Sequence, residues 1–262
     1  MIKKTKFILW YIVNFKYFFQ LVILFINFFI KKKTKPKQEL QNWIDFYLIK
    51  IEEFFERYQF KTKDFYSENK TNVEEAEKIE KDLKNSIIKW DKSKIGGRAH
   101  LNLLYNLVHL KNPKIVLETG VAFGWSSLAI LSAKKEDPNF QLISIDMRYP
   151  LIKDYQKYRG ILVQDKSKWH LIDAIDFFGI FIADNFLNKE KYDLIHYDSD
   201  KTYFGRRISY FRLWKRLNKD GYFLSDDISD NMAFYDFCIK LNLIPKIFKI
   251  NNRYVGLLKK EI

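Results

Sequence analysis

Apolar and polar residues alternate along this chain in three different ways. Residues 7–30, FILWYIVNFKYFFQLVILFINFFI, are almost continuously apolar. Between 40 and 90 the apolar positions recur every three or four residues, as in WIDFYLIKIEEFFERY and NVEEAEKIEKDLKNSIIKW, a period that predicts helices with charged outer faces. From about residue 95 short apolar runs alternate with helical periods. The runs KIVLE (114–118), QLISID (141–146), WHLID (169–173), YDLIHYD (192–198) and GYFLSDD (221–227) read as strands, and PKIFKI and YVGLLK flank an NNR turn as a closing hairpin. Helices are expected over 98–110, from Gly124 to about Asp137-Pro138, and over 176–187, 206–217 and 231–242, with a KDG turn after the fourth of them. Strands alternating with helices predict an α/β fold, a parallel sheet covered on both faces, and the hairpin adds one antiparallel strand. The chain thus divides into 1–37, an apolar helix and basic linker; 38–94, a helical region; and 95–262, the α/β domain.

The first segment changes the picture most. A membrane span needs ~20 apolar residues, and 7–30 is long enough, with lysines 3, 4 and 6 before it and 31, 32 and 33 after it. Lys16, Gln20 and Asn27 interrupt it at spacings that share one helical face, whereas Asn14 lies off that face. Two arrangements satisfy this stripe: a helix lying in the membrane interface with the three polar residues toward water, or a span whose polar face meets a partner. No small-residue cleavage site follows the run, which argues against a removed signal peptide. Five lysines in residues 31–37 against three in 1–6 place the rest of the chain on the cytoplasmic side of the membrane.

Composition narrows the function classes. Forty-six Lys and Arg against 32 Asp and Glu give a net charge of +14, but the lysines are dispersed and no nucleic-acid motif accompanies them, so no nucleic-acid partner is expected. The single cysteine, Cys238, precludes an intramolecular disulfide and suits a reducing compartment. Four histidines and one cysteine without ligand spacing argue against zinc.

The chemistry gathers at VLETGVAFGWSSLAI, residues 116–130. Glycines at a strand-to-helix turn let backbone approach a ligand closely, and the helix N-terminus that follows favours a carboxylate or phosphate. The spacing is neither G-x-G-x-x-G nor a P-loop, which disfavours a nicotinamide dinucleotide. Asp146, at the end of the second strand, stands where a ribose-binding acid belongs in such a βαβ unit.

These segments resemble class I S-adenosylmethionine-dependent methyltransferases. VLETGVAFGWSSLAI looks like their first motif, with Ala122 where a third glycine is common, and LISID looks like their second. WHLIDA, the stretch from YDLIHYDSDKTY to GYFLSDDI, and NMAFYDF are similar to the small-molecule O-methyltransferase branch that includes macrolide-sugar and cephalosporin-type enzymes. The resemblance covers about residues 95–262 and implies a Rossmann-like seven-stranded methyltransferase sheet. It further implies that Gly120, Gly124 and Ser126 line the methionine moiety, Asp146 holds the ribose, Met147 flanks the adenine, and Glu118 orients the turn through its N–H groups. Asp198, Asp226 and Asp227 would form an acceptor-side cluster able to hold a magnesium-like ion. Lys201 stands where relatives carry a histidine; to serve as the base it needs a depressed pKa. His196 shares a strand face with Asp198, as a packed residue or a substitute base. The expected activity is transfer of a methyl group from S-adenosylmethionine to a hydroxyl of a small molecule or glycan, with Asp198, Lys201 and Asp226 in the catalytic positions. The alternative is a membrane-tethered protein that binds the cofactor without turnover.

Overall fold

The computed structural model describes residues 2–86, 98, 100–150, 154–186 and 190–261. The N-terminal run forms helices α1 (Ile2–Val13) and α2 (Phe18–Thr34) around a 3-10 turn at Phe15–Tyr17. Helices α3 (Gln38–Tyr47), α4 (Ile51–Glu56), α5 (Phe65–Glu68) and α6 (Lys70–Ser86) follow. The α/β domain then runs α7 (Leu101–Lys111), β1 (Ile115–Thr119), α8 (Trp125–Ala133), β2 (Gln141–Asp146), α9 (Tyr155–Tyr158), β3 (Trp169–Asp173) and α10 (Asp176–Phe186). It ends with β4 (Tyr192–Tyr197), α11 (Tyr203–Arg216), β5 (Leu217–Ser225), α12 (Ala233–Leu241), β6 (Lys246–Ile250) and β7 (Arg253–Lys259).

The seven strands lie in the order β3-β2-β1-β4-β5-β7-β6. Contacts from β3 through β5 are parallel, and β7 runs antiparallel to both β5 and β6. Alternation along each strand supplies two cores. Val116, Leu142, Leu194 and Leu224 pack with Leu104 of α7 and Leu128 of α8 on one face. Leu117, Ile143, Ile195 and Phe223 pack with Ile180, Tyr210 and Phe237 of α10, α11 and α12 on the other. The 38–94 region belongs to both cores: Phe54, Phe55 and Phe65 join the first, Leu40 and Ile44 the second. Chain order reverses between β1 and β4, which puts the ligand crevice of an open sheet beyond their carboxyl ends.

Boundaries moved where capping overrode periodicity. Helix α11 starts at Tyr203, three residues before the expected 206, because the Thr202 side chain caps it by accepting the Gly205 N–H. The KDG turn lies inside β5, with Asp220 in the left-handed region at φ 59°. Helix α8 ends at Ala133, and α9 was not expected. Residues 87–90, the end of the helix expected over NVEEAEKIEKDLKNSIIKW, and Ala99 lie outside the described residues.

The N-terminal run departs furthest from expectation. Asn14 interrupts it by donating both its backbone N–H and its side-chain Nδ2 to the Trp10 carbonyl, and the two flanking helices meet at 107°. No single described helix is long and apolar enough to cross a membrane. The polar stripe faces the α/β domain, not water: Lys16 bonds Asp173, Gln20 Nε2 donates to Asp200 Oδ2 at 2.9 Å, and Asn27 Oδ1 accepts the Tyr203 N–H at 3.1 Å. The polar face therefore meets a partner, and that partner is the chain's own domain.

Candidate active site

The turn after β1 is fixed by close backbone approach. Gly120, at φ +82°, donates its N–H to the Ile145 carbonyl at 2.8 Å, and a Cβ there would stand 2.3 Å from the Asp198 carbonyl oxygen. Only glycine meets both demands. Gly124, at φ +100°, begins α8, and Ala122 between them takes φ 49°. Glu118 lies fully buried below the turn. Its Oε2 accepts the Ser127 and Ser144 hydroxyls at 2.6 and 2.7 Å, so it braces α8 against β2 through side chains and not through the turn's N–H groups.

Beyond the strand ends opens a cavity of about 900 Å³. Gly120, Gly124, Ser126, Asp146 and Met147, five of the six residues expected at the cofactor, are among its lining; Glu118 does not reach it. Asp146 Oδ2 accepts the Tyr155 hydroxyl at 2.8 Å, and the carboxylate also accepts the Val121 N–H. Burial raises its pKa to about 7 against these hydrogen bonds.

The same cavity has a charged part. The Lys201 ammonium bonds Asp198 and lies 2.8 Å from Asp227 Oδ2. Burial alone would lower its pKa, but Asp198 and Asp227 raise it above the ordinary lysine value, which is the reverse of what a lysine base requires. Asp226 turns inward: its Oδ1 is 3.0 Å from His100 Nε2 and 3.4 Å from His196 Nε2. His196 is fully buried, with Nδ1 3.7 Å from Glu118 Oε1. Desolvation opposes its charge, yet Asp226 and Glu118 raise its pKa to about 10, so it is a buried cation between two carboxylates. Burial also opposes ionisation of Asp226, and His100 and His196 outweigh it to hold the carboxyl well below its usual range.

Two residues here escaped the sequence reading. His100 lines the cavity from just before α7, and nothing in local spacing links it to Asp226, 126 positions later. Arg206, fully buried, ties the loop after β4 to the loop after β5. It donates to the carbonyls of Asp227 at 2.8 Å, Asp200 at 3.2 Å and Asp226 at 3.3 Å. Its neighbour Asp227 holds a left-handed φ of 51°.

The three carboxylates expected to hold a magnesium-like ion do not form one oxygen cage. Asp198 and Asp227 converge on the Lys201 ammonium, which already supplies the compensating charge, and Asp226 engages the histidines. Among the described residues, the donor atoms close enough to share an ion belong to His100, His196 and Asp226, a nitrogen-rich set unlike the all-oxygen shell magnesium prefers.

The N-terminal helices roof this cavity with Phe7, Tyr11, Gln20 and Leu24. Asp173, at the end of β3, anchors the roof: it bonds Lys16 and accepts the Tyr17 hydroxyl at 2.5 Å, while Arg159 and Arg148 approach at 2.8 and 3.3 Å. Burial works against this carboxylate, but Lys16, Tyr17 and Arg159 hold its pKa well below the ordinary value.

A seven-stranded sheet in this order, with a glycine turn and a carboxylate at adjacent strand ends, defines a Rossmann-like methyltransferase fold. Residues 117–228 match the model of a methyltransferase domain family, so this part of the chain is similar to methyltransferase domains. An O-methyltransferase from Bacillus cereus in complex with S-adenosylhomocysteine superposes with a TM-score of 0.55 at 11% identity, covering 83% of this chain and 100% of that one. An S-adenosylhomocysteine-bound methyltransferase from Podospora anserina gives 0.52 at 16%, covering 73% and 88%. A Geobacter sulfurreducens methyltransferase gives 0.52 at 15%, covering 72% and 90%. No curated protein matches the sequence.

Proposed function

We propose that this chain methylates a hydroxyl of a small molecule or glycan, with His100 as the proton acceptor. The observation that carries the reading is a single cavity lined both by the Gly120–Gly124 turn with Asp146 and by His100, which lies 3.0 Å from Asp226. The turn and Asp146 bind the cofactor and fix its methyl group, and the charged part seats the acceptor. The acceptor oxygen attacks the methyl carbon while its proton passes to the imidazole. The C–S bond breaks with its electron pair going to sulfur, leaving S-adenosylhomocysteine and the methyl ether. Because methyl transfer needs alignment more than charge stabilisation, positioning supplies most of the rate. Glu118 helps keep His196 charged, His196 favours the ionised form of Asp226 behind His100, and Lys201 neutralises Asp198 and Asp227 beside the acceptor.

No step requires a divalent ion, since Lys201 fills the carboxylate pair. Turnover that is lost to chelation and restored by magnesium would show that Asp198 and Asp227 exchange the ammonium for the ion. The test of the reading is formation of S-adenosylhomocysteine from S-adenosylmethionine with a panel of hydroxylated metabolites and sugars. Cofactor binding without turnover on any acceptor would instead favour a binding protein.

A further inference from the structure

The N-terminal helices are amphipathic in the reverse sense to a surface helix of a water-soluble fold. Lys16, Gln20 and Asn27 face the α/β domain. Phe18, Phe25 and Phe29, seven and four residues apart, occupy the opposite side of α2 and are exposed, as is Phe28 at 73%. Ile8, Leu9 and Ile12 of α1 are about half exposed, and at the bend Val13 and Phe15 reach 81% and 77%. The apolar surface continues onto α10, because Phe19 packs on Phe177 and Phe178 with ring centroids 4.8 and 5.8 Å apart, next to exposed Phe181 and Ile182. Isolated exposed apolar residues are ordinary; a continuous face across three helices marks a contact surface.

Charge identifies what it contacts. No acidic residue precedes Glu39, and nine lysines lie in residues 1–38. Of these, Lys6, Lys31, Lys35 and Lys37 are exposed at the two ends of the apolar run. An apolar face bordered by lysines complements an anionic bilayer, with aromatic rings at the headgroup boundary and ammonium groups against acidic lipid. We infer that this face of α1, α2 and α10 docks in the plane of an anionic membrane without crossing it. The 107° bend at Asn14 suits this arrangement, since it breaks a run that would otherwise be long enough to span, while Lys16, Gln20 and Asn27 stay on the domain.

Flotation of the full chain with vesicles tests the inference. Vesicles of phosphatidylcholine containing about a third phosphatidylserine should carry the protein upward at least roughly tenfold better than phosphatidylcholine alone, and high salt should weaken binding. Phe25→Glu with Phe29→Glu should abolish flotation while leaving the thermal midpoint and S-adenosylhomocysteine affinity unchanged, because both side chains point outward. Loss of folding in that variant would show that the face is internal and overturn the inference. So would failure of the native chain to float with either vesicle. A stable dimer that these two substitutions dissociate, without vesicle binding, would assign the face to a second copy of the chain.

Discussion

The part of the cavity proposed for the cofactor, the cofactor wall, is made by backbone, whereas the part proposed for the acceptor, the acceptor wall, is made by side chains gathered from distant elements. On the first, Gly120 and Gly124 hold conformations dictated by the Asp198 carbonyl and the start of α8, and one carboxylate, Asp146, completes the surface. On the second, His100 precedes α7, Asp198 and Lys201 follow β4, Asp226 and Asp227 follow β5, and Arg206 reaches across from α11. A backbone site tolerates side-chain change wherever φ permits; a charge network fails when any one member is removed. The two walls should therefore respond differently to substitution.

The largest effect is expected at His100. Replacing it with alanine removes the proton acceptor and should slow turnover by roughly 10²–10⁴, the usual worth of a positioned base. The cofactor dissociation constant should stay within a few-fold, because no cofactor-wall residue depends on this ring. Imidazole added to the buffer should restore part of the rate. Equal losses in turnover and cofactor affinity, without rescue, would make His100 structural and erase the division between the walls.

Arg206→Met comes next. It removes a donor shared by three carbonyls: Asp227 keeps the Asp230 N–H and Asp200 the Tyr197 hydroxyl, while the Asp226 carbonyl loses its Arg206 donor, at about 1–3 kcal/mol for a buried unpaired group. With the two weakened bonds, at about 0.5–1.5 kcal/mol each, a total of roughly 2–6 kcal/mol should lower the melting temperature by roughly 10 °C. Calorimetry that finds a shift below about 2 °C would show that the loops after β4 and β5 hold their shape without the clamp.

How much of this was legible in the sequence follows the same division. Five strand positions agreed to within two residues at the carboxyl end, and β2 and β3 agreed at both ends, because period-two alternation and turn residues are local signals. Gly120, Gly124, Ser126, Asp146 and Met147 all line the cavity, because each stands at the carboxyl end of a strand, in the turn that follows it or at the start of the next helix, a placement that local patterns reveal. Glu118 was placed correctly on β1 but given the wrong contacts, since Ser144 lies on a neighbouring strand. His100–Asp226 and the inward course of Lys16, Gln20 and Asn27 depend on which elements pack together, and no local period encodes that. Asn14 lies off the polar face by its spacing, but that it ends a helix by bonding the Trp10 carbonyl is not written in any hydropathy period.

Asp146 tests the cofactor wall through pH. Alanine there should weaken cofactor binding by ~1.5–3 kcal/mol, the range for hydrogen bonds to a charged group. In the free protein its pKa is raised to about 7 by burial, so below pH 7 the proton must leave before the carboxylate can accept ribose hydroxyls. Affinity should therefore rise with pH up to about 7, by at most ~tenfold per unit, and level off above it. Asp146→Asn should remove the slope. Titration calorimetry from pH 5.5 to 8.5 that finds the same slope in both proteins would assign the titration to another group and leave Asp146 without the ribose role.

The smallest effect belongs to Ala122, where the backbone character of the cofactor wall can be isolated from side-chain chemistry. Its φ of 49° lies in the left-handed region, which costs a residue with a Cβ roughly 1–2 kcal/mol and glycine almost nothing. Ala122→Gly relieves that strain, while glycine's greater freedom in the unfolded chain takes back ~0.4–1 kcal/mol. The balance is a gain of about 0.5 kcal/mol, or roughly 1–2 °C in melting temperature. The Ala122 carbonyl, which accepts the Gly160 N–H at 2.8 Å, is unchanged by the substitution, so the turn should keep its shape and the cofactor its affinity within about twofold. A fall of several degrees would mean that the Ala122 methyl group packs well enough to outweigh the strain. The cofactor wall would then depend on side-chain packing as the acceptor wall does.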